Sequence, residues 1–335
     1  MANEAKRHHY IPQFILRNFN DENGQITYWD IENRKLEKRN TRSVFMNMNM
    51  YRNEEYDNPV QTELDFSTFE CEIAELINKK IFKKNMIVLS RRELETLRIF
   101  LTLMSFRSDL RMKQYAYNNF DPSTREILLK MQPDGDFVLL WKRELNTLAK
   151  CRRYDEIESS EGIDPIIKLD FLNDLKGYYM TFVDARGGNF LITDIYPTLE
   201  IFPLINSDIH LHAFYPLSPT RMLVLNHIMF RKEIENTTDT LLRKIINISK
   251  IKGNLVEQPL SKYKTPGTLC GEDEFTYRVR KIYDEDVEYI NFLFLNEART
   301  GVSFDNAKRV KKTINNFNKR DDVKAKYIEL ANCID

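Results

Sequence analysis

The chain has 335 residues, which is enough for one large domain or two closely packed ones with a sizeable core. Its 42% hydrophobic and 30% charged residues are typical of a globular protein and exclude a collagen, a disordered tail and a membrane bundle. The 50 Lys and Arg residues balance the 50 Asp and Glu residues, so the net charge of zero provides no overall attraction to nucleic acid. A local basic face is still compatible with that sum.

The N-terminal segment and the cysteines predict a cytoplasmic protein. Residues 1–9 are polar and lack the apolar centre of a secretory signal. The longest apolar runs, such as residues 201–205, are too short to span a bilayer, so we expect no membrane partner. The four cysteines form no C-x-x-C pair of the kind found in zinc and redox sites, and we interpret them as reduced thiols.

A short helix and a β-hairpin are predicted in the first part of the chain. Pro12 stands at the first position of a helix over residues 12–19. Residues 26–31 have a strand pattern, and residues 35–39 return as their hairpin partner. A further extended segment is predicted over residues 44–51.

The next part of the chain has a helical pattern. Apolar residues at spacings of three and four predict a helix over residues 61–83. Ser90, with Glu93 three residues later, has the pattern of a capping box that opens a helix ending near Tyr117. Two more helices are predicted, over residues 123–132 and 137–150.

Strand patterns return after these helices. Residues 178–183 and 189–194 are predicted to pair as a hairpin through the turn at residues 185–188. Residues 210–215 and 222–226 predict a second pair of strands. One sheet has room for these strands and for the N-terminal hairpin as well.

Three predicted helices close the chain, over residues 234–250, 284–299 and 305–318. Because strands and helices are segregated rather than alternating, we predict an α+β fold. It comprises an N-terminal hairpin and central antiparallel strands, packed with a mainly helical middle section and C-terminal helices. We predict a single domain over residues 1–335, with a weak subdivision near residues 159–165.

The densest group of chemically useful side chains lies near the N-terminus. His8 and His9 are two of only five histidines, and Gln13 and Arg17 follow on one face of the predicted helix. An imidazole acts as base, acid or metal ligand near neutral pH, and a guanidinium binds phosphate or stabilises an oxyanion. The structural alternative carries equal weight: a histidine caps a strand or turn, and Arg17 pairs with an acid.

Four segments of the chain follow one another in a recognisable order. The first reads His8-His9-Tyr10-Ile11-Pro12-Gln13-Phe14-Ile15-Leu16-Arg17-Asn18-Phe19. The later ones are Thr193-Asp194-Ile195-Tyr196-Pro197, Pro216-Leu217-Ser218-Pro219 and the stretch from Asn291 to Ala298. Over about residues 6–302 they resemble a bacterial family known only as domain of unknown function 4238. Its members typically begin with His-His-Tyr-x-Pro-Gln-x-x-Leu-x-x-Phe.

The resemblance implies the position of a site but little chemistry, because the family has no established activity. It adds Arg107 and Asp194 to the N-terminal candidates. Arg107 and Arg111 stand where the family usually has Arg-Thr-Pro on a long helix, but here the segment reads Arg107-Ser108-Asp109. The segment that holds Asp194 is one residue longer than the family pattern Thr/Ser-Asp-x-Pro.

The remaining histidine patterns match known sites only in part. HNH nucleases use a first histidine to activate water and a second, tens of residues later, to help hold the metal. No histidine lies between His9 and His210, so a complete HNH module is not predicted. His210 and His212 lie two apart on a predicted strand and are expected on one face, a spacing that chelates metals; packing beside Tyr215 is an equal interpretation.

The remaining motifs favour structural interpretations. Arg221 and His227 have a spacing used by a class of helical ribonucleases, but here they lie on a predicted strand. No P-loop, dinucleotide fingerprint or nucleophile elbow is present in the sequence. The basic stretch over residues 308–320 is interpreted as a solvated helix face, with phosphate contact as the alternative.

The favoured hypothesis is a cytoplasmic bacterial hydrolase directed at nucleic acid, nuclease-like, in the role of a toxin or phage-defence effector. A histidine would serve as base or as ligand of a divalent metal ion, and an arginine would neutralise the phosphate. The alternative is a non-enzymatic module that binds a ligand or a protein, in which the His-His motif is structural. The candidate site comprises His8, His9, Gln13, Arg17, Arg107 and Asp194.

Overall fold

The computed structural model describes residues 6–163, 165–203, 208–231, 239, 243–246, 255–320 and 327–334. These residues form an α+β fold, which confirms the predicted class. The strands, in chain order, are β1 (Arg7–His9), β2 (Ile26–Asp30), β3 (Lys35–Arg39), β4 (Met46–Met48), β5 (Met86–Ser90), β6 (Tyr178–Ala185), β7 (Ile192–Thr193), β8 (Thr198–Pro203), β9 (Asp208–Pro216), β10 (Arg221–His227), β11 (Leu260–Lys262), β12 (Glu274–Arg278), β13 (Arg280–Ile282) and β14 (Gly301–Phe304).

The helices lie mainly in the middle and at the end of the chain. They are α1 (Gln13–Leu16), α2 (Gln61–Leu76), α3 (Arg91–Phe106), α4 (Asp109–Ala116), α5 (Pro122–Met131), α6 (Phe137–Leu148), α7 (Tyr154–Ser159), α8 (Pro165–Lys176), α9 (Asp284–Glu297), α10 (Ala307–Asn318) and α11 (Ile328–Cys333). A π-helical turn, Ile77–Ile81, extends α2 and completes the helix predicted over residues 61–83.

A five-stranded sheet with the order β13-β6-β10-β9-β8 forms the centre of the molecule. Its strands are antiparallel except for β13, which runs parallel to β6. A four-stranded sheet, β3-β2-β14-β7, joins the N-terminal hairpin to strands from the second half of the chain. Two smaller sheets, β11-β12-β5 and β1-β4, complete the described strands.

The central sheet is buried on both faces at β10. On β10, Leu223 and Leu225 pack into the apolar cluster formed with the helical middle section. The alternate residues, Met222 and Val224, pack into a second cluster with α9 and α10. Because successive side chains of a strand point to opposite faces, a strand buried on both sides has an unbroken apolar run. This explains the sequence of residues 222–225.

The predicted hairpin of residues 178–183 with 189–194 is wrong. β6 instead pairs with β10 on one side and with β13 on the other. Within residues 189–194 only β7 is a strand, and it pairs with β14 in the other sheet. Local turn chemistry at residues 185–188 suggested the hairpin, but more distant partners occupy both edges of β6.

The long helix predicted to end near Tyr117 is divided in two. The Ser90 capping box is present as predicted and opens α3. Ser108 then caps a second helix, α4, by accepting a hydrogen bond from the Arg111 amide at 3.2 Å. The helix predicted over residues 234–250 falls largely outside the described residues, which in that range are 239 and 243–246.

Candidate functional site

The first histidine of the N-terminal motif is fully buried. His8 lies on β1, and its ring has 0% exposure. Its Nδ1 accepts a hydrogen bond from the Tyr51 amide at 2.8 Å. The two rings stack, with centroids 5.4 Å apart and an interplanar angle of 10°. The imidazole therefore supports the chain around Tyr51 from within the core.

The second histidine is also buried, with 5% exposure. His9 Nε2 lies 3.2 Å from the Thr41 carbonyl oxygen. Because a carbonyl only accepts, the proton lies on Nε2, and Nδ1 accepts from the Gln13 amide at 3.3 Å. Burial is the main cause that lowers the pKa of His9 from 6.5 to about 4. The ring is therefore neutral at pH 7.

A polar chain connects this buried ring to the surface. Arg17 is exposed and donates from Nη2 to Gln13 Oε1 at 3.3 Å. Gln13 in turn donates to His9. The predicted placement of Gln13 and Arg17 on one helix face is confirmed by this contact. Arg17 is the outermost member of the chain, and its guanidinium faces solvent.

Arg107 is buried beside the same strand, with 1% exposure. Its Nη1 donates to Glu70 at 2.6 Å, and its Nη2 donates to the His9 carbonyl oxygen. Its guanidinium also lies over the Phe66 ring, 4.3 Å from the centroid. Arg107 therefore joins α2, the end of α3 and the N-terminal strand, and its charge is compensated inside the protein.

A second carboxyl group near Arg107, that of Glu63, lacks a direct hydrogen-bond partner for one of its oxygens within the described part of the chain. Glu63 Oε2 is buried and has no hydrogen-bond partner among the described residues. Burial raises the pKa of Glu63 to about 8, opposed by the positive charge of Arg107 and reinforced by the negative charge of Glu70. Since Arg107 pairs directly with Glu70, Glu63 is the surplus acid of this cluster.

Asp194 holds the start of β14. Its carboxylate accepts from the amides of Arg299 at 3.0 Å, Thr300 at 3.1 Å and Gly301 at 3.4 Å. Burial raises the pKa of Asp194 in spite of these bonds. A side chain at Gly301 would overlap the Tyr28 ring, so only glycine fits there.

Four of the predicted site residues are connected by hydrogen bonds, whereas Asp194 has other partners. His9, Gln13 and Arg17 form one chain of contacts, and Arg107 joins it at the His9 carbonyl. Asp194 binds the amides of residues 299–301 instead. No group of three or more His, Cys, Asp or Glu side chains suited to a metal ion occurs among the described residues.

A cleft that the sequence did not reveal opens between the α3–α4 corner and the β8–β9 hairpin. Two adjoining compartments of about 110 and 290 Å³ share Ser105, Arg111, Pro197 and Leu199. His210 lies in the smaller compartment. We call this the helix–sheet cleft.

The helix–sheet cleft contains two polar groups of interest. Arg111 donates to Gln114 at 2.9 Å and lies over the Phe106 ring, 5.0 Å from the centroid. Among the described residues it has no salt bridge. Burial is the main cause that lowers the pKa of His210. The negative charge of Asp208 raises this pKa, and the positive charge of Arg111 lowers it further.

A β-bulge determines that His210 faces the cleft. Glu200 pairs with His212 and Ile201 with His210, so Leu211 is an extra residue on β9. The extra residue interrupts the alternation of the strand and places the two histidines on opposite faces. The prediction that His210 and His212 share a face is therefore wrong.

His212 is a core residue. It has 0% exposure, stacks on Phe230 at 4.7 Å and contacts Asn226 Oδ1 through Nδ1 at 2.9 Å. Burial lowers its pKa to about 3. Its Nε2 lies 3.6 Å from the buried Glu200 carboxylate, so the ring packs the sheet against Phe230 and also lies beside an acid.

Comparison with known proteins identifies the family. A family model described as a protein of unknown function, DUF4238, matches residues 7–308. The chain belongs to this family. No curated protein and no solved structure matches this DUF4238 member.

In this DUF4238 member the segments that carried the resemblance contribute mostly buried side chains that form hydrogen bonds to main-chain groups. Besides His8, His9 and Asp194, the Asn291 side chain is 1% exposed and bonds to main-chain atoms on both sides of Phe190. It accepts from the Leu191 amide at 3.0 Å and donates to the Asn189 carbonyl at 2.8 Å. No helix among the described residues is long and apolar enough to cross a membrane.

Proposed function

We propose that this DUF4238 member is a binding module whose helix–sheet cleft receives a small anionic ligand with an apolar part. In this proposal the His-His motif has a structural role. The observation that carries the proposal is the Arg111 guanidinium, which lines an apolar cleft without a carboxylate partner among the described residues.

The electrostatics of the cleft favour an anion. A guanidinium carries five N–H donors in a planar fork, and the bond to Gln114 uses only part of them. One acid, Glu297, lines the larger compartment, but it is exposed and accepts from the neighbouring Asn296 at 3.0 Å. A carboxylate or phosphate group beside Arg111 would therefore gain a charge-assisted hydrogen bond.

The rest of the cleft supports a small ligand with an apolar part. His210 has a lowered pKa and no side-chain hydrogen bond among the described residues, so it offers a neutral donor and acceptor. Pro197, Leu199 and Tyr215 provide apolar walls. The compartments of about 110 and 290 Å³ lie at or below the lower end of the usual range for ligand pockets.

Calorimetric titration with phenyl phosphate tests the proposal. We expect saturable binding by the wild type and at least about fivefold weaker binding by Arg111→Leu, because a charge-assisted hydrogen bond contributes more than 1 kcal/mol. Lys113→Leu, on the same helix and with a 47% exposed side chain, removes the same charge outside the cleft and serves as the control. Equal affinity in Arg111→Leu and the wild type, or no binding of phenyl phosphate or benzoate, would contradict the proposal.

The nucleic-acid-directed hydrolase is the second candidate function. In its favour, exposed Arg17 connects through Gln13 to His9, a polar path from the surface to an imidazole. Against it, the two imidazoles of the motif have 0% and 5% exposure.

Assays on single- and double-stranded DNA and RNA, with and without Mg²⁺, decide between the two. Cleavage by the wild type that is lost in a folded His9→Ala variant would favour the hydrolase. Equal activity in both proteins, or none, would remove it.

A further inference from the structure

A second recess, which shares no lining residue with the helix–sheet cleft, lies beside the β11-β12-β5 sheet. It has a volume of about 700 Å³ and is open to solvent. Its basic lining residues are Arg186, Arg278, Arg280 and Lys281, and Met86 and Leu260 are among its apolar ones. We call it the basic groove.

Two basic segments meet at this groove. The Val279 amide donates to the Asn85 carbonyl at 2.9 Å, which brings residues 83–86 beside residues 278–281. The first segment contains Lys83 and Lys84, and neither segment contains an acid. The protein as a whole has no net charge, so this concentration of positive charge is local.

Part of this positive charge is compensated in the groove itself. Glu257 is the acid among the lining residues, and it is paired with Arg280. Arg278 is exposed and makes no salt bridge among the described residues. An acidic turn, Asp284 to Asp286, lies next to Arg186 and limits the positive surface on that side.

Exposed apolar side chains lie next to the basic residues of the groove. In the sheet register Arg278 pairs with Met86, and Thr276 pairs with both Val88 and Leu260. Met86, Val88 and Leu260 have exposures of 51%, 43% and 75%. The surface therefore presents cations, which attract phosphate groups, beside exposed aliphatic side chains, which gain free energy when an apolar face covers them.

We propose that the basic groove binds single-stranded nucleic acid through its phosphate backbone. In a duplex the bases are stacked and hidden, so Met86, Val88 and Leu260 would have no partner. In a single strand the bases are free to cover these side chains while phosphates contact Arg278 and Lys281. The inference concerns binding only and is independent of the helix–sheet cleft.

Fluorescence anisotropy with a labelled 20-nucleotide oligo(dT) tests the inference on the full chain. We expect Arg278→Ala/Lys281→Ala to bind at least tenfold more weakly at low salt. The slope of log K against log salt should fall by about 1.4, because each phosphate contact on a single strand contributes about 0.7. Lys308→Ala/Lys312→Ala removes two exposed charges from α10 and serves as the matched control.

Circular dichroism melts of both variants separate a binding defect from unfolding. A duplex of equal length should bind more weakly than oligo(dT). The inference is overturned if the wild type does not bind oligo(dT), if the α10 variant loses as much affinity as the groove variant, or if the duplex or poly-glutamate binds as tightly.

Discussion

His8, His9 and Asp194 are polar side chains whose main partners are main-chain groups. They contact the Tyr51 amide, the Thr41 carbonyl and the amides of residues 299–301. Main-chain groups buried away from water need such partners, and an unmade bond costs about 1–3 kcal/mol. Residues of types used in catalysis can therefore be required for folding alone.

The double variant His8→Ala/His9→Ala tests this role. It leaves the Tyr51 amide and the Thr41 carbonyl without their partners, so we expect a loss of about 2–6 kcal/mol and a fall of several degrees in the melting temperature. Arg17→Ala, at an exposed position, should change stability by less than about 0.5 kcal/mol. An unchanged melting temperature in the double variant would contradict the structural role.

The raised pKa of Glu63 predicts that the free energy of unfolding depends on pH. Its pKa of about 8 in the folded chain lies above the ordinary value of 4.5. The stability linked to this group is therefore complete below pH 4.5 and is lost as the pH rises through 8. We expect Glu63→Gln to be more stable than the wild type by at least about 2 kcal/mol at pH 9, and to match it near pH 5. Urea unfolding at both pH values measures the difference.

Glu70→Gln is the control for Glu63. Glu70 forms the ion pair with Arg107, so its replacement should destabilise the protein at both pH values. If Glu63→Gln were equally destabilising at pH 5 and pH 9, Glu63 would not be the surplus acid of the cluster.

Among the elements, β14 depends on a side chain from the end of β7. Asp194 binds the three amides through which the chain passes from α9 into β14. We expect Asp194→Ala to destabilise the protein by about 1–3 kcal/mol and to accelerate hydrogen exchange of the amides of residues 299–301. Ser218→Ala, which removes the acceptor of the Thr220 and Arg221 amides at the start of β10, should leave exchange at residues 299–301 unchanged. Protection of these amides in Asp194→Ala equal to that in the wild type would contradict the prediction.

Elements with local signals could be predicted from the sequence. The N-terminal hairpin, the Ser90 capping box and the β9–β10 hairpin are confirmed. Their turns and caps involve neighbouring residues, whose chemistry is visible in a short stretch of chain. The wrong hairpin at residues 178–194 had a similar turn signal, but the partners of β6 and β7 lie far away in the sequence.

The same limit applies to the candidate site. The sequence identified His8, His9 and Arg107 by residue type, but their burial depends on packing against β4, α2 and α3. The helix–sheet cleft depends on the break between α3 and α4 and on the bulge at Leu211. Ser108 is a signal for the break, because serine is a common N-cap residue. No comparable signal marks the bulge.

At the scale of the whole molecule, Arg221 connects the central sheet to the helical section. It makes two hydrogen bonds of 2.7 Å to Asp184 and donates to the Ile81 carbonyl at the end of the π-helical turn. Arg221 and His227 lie on a strand, as predicted. With 6% exposure, Arg221 is an internal connection rather than a surface charge.

Arg221→Lys should weaken this connection. Lysine keeps the charge but lacks the planar fork, so it cannot bind both Asp184 oxygens and the Ile81 carbonyl together. We expect a loss of about 2 kcal/mol in urea unfolding. Arg34→Lys is the control, because Arg34 and Glu329 form an exposed pair with side-chain exposures of 62% and 49%. Equal stability losses in the two variants would contradict the prediction.

The position of β14 between β2 and β7 has a consequence for synthesis on the ribosome. β2 is complete at Asp30, but its inner neighbour begins at Gly301. At translation rates of about 5–20 residues per second, the nascent hairpin waits roughly 15–55 s with one edge unpaired. During that interval the exposed edge is a target for chaperones and for pairing with other emerging chains. Slower translation anywhere between β2 and β14 therefore lengthens the time during which this edge lacks its partner.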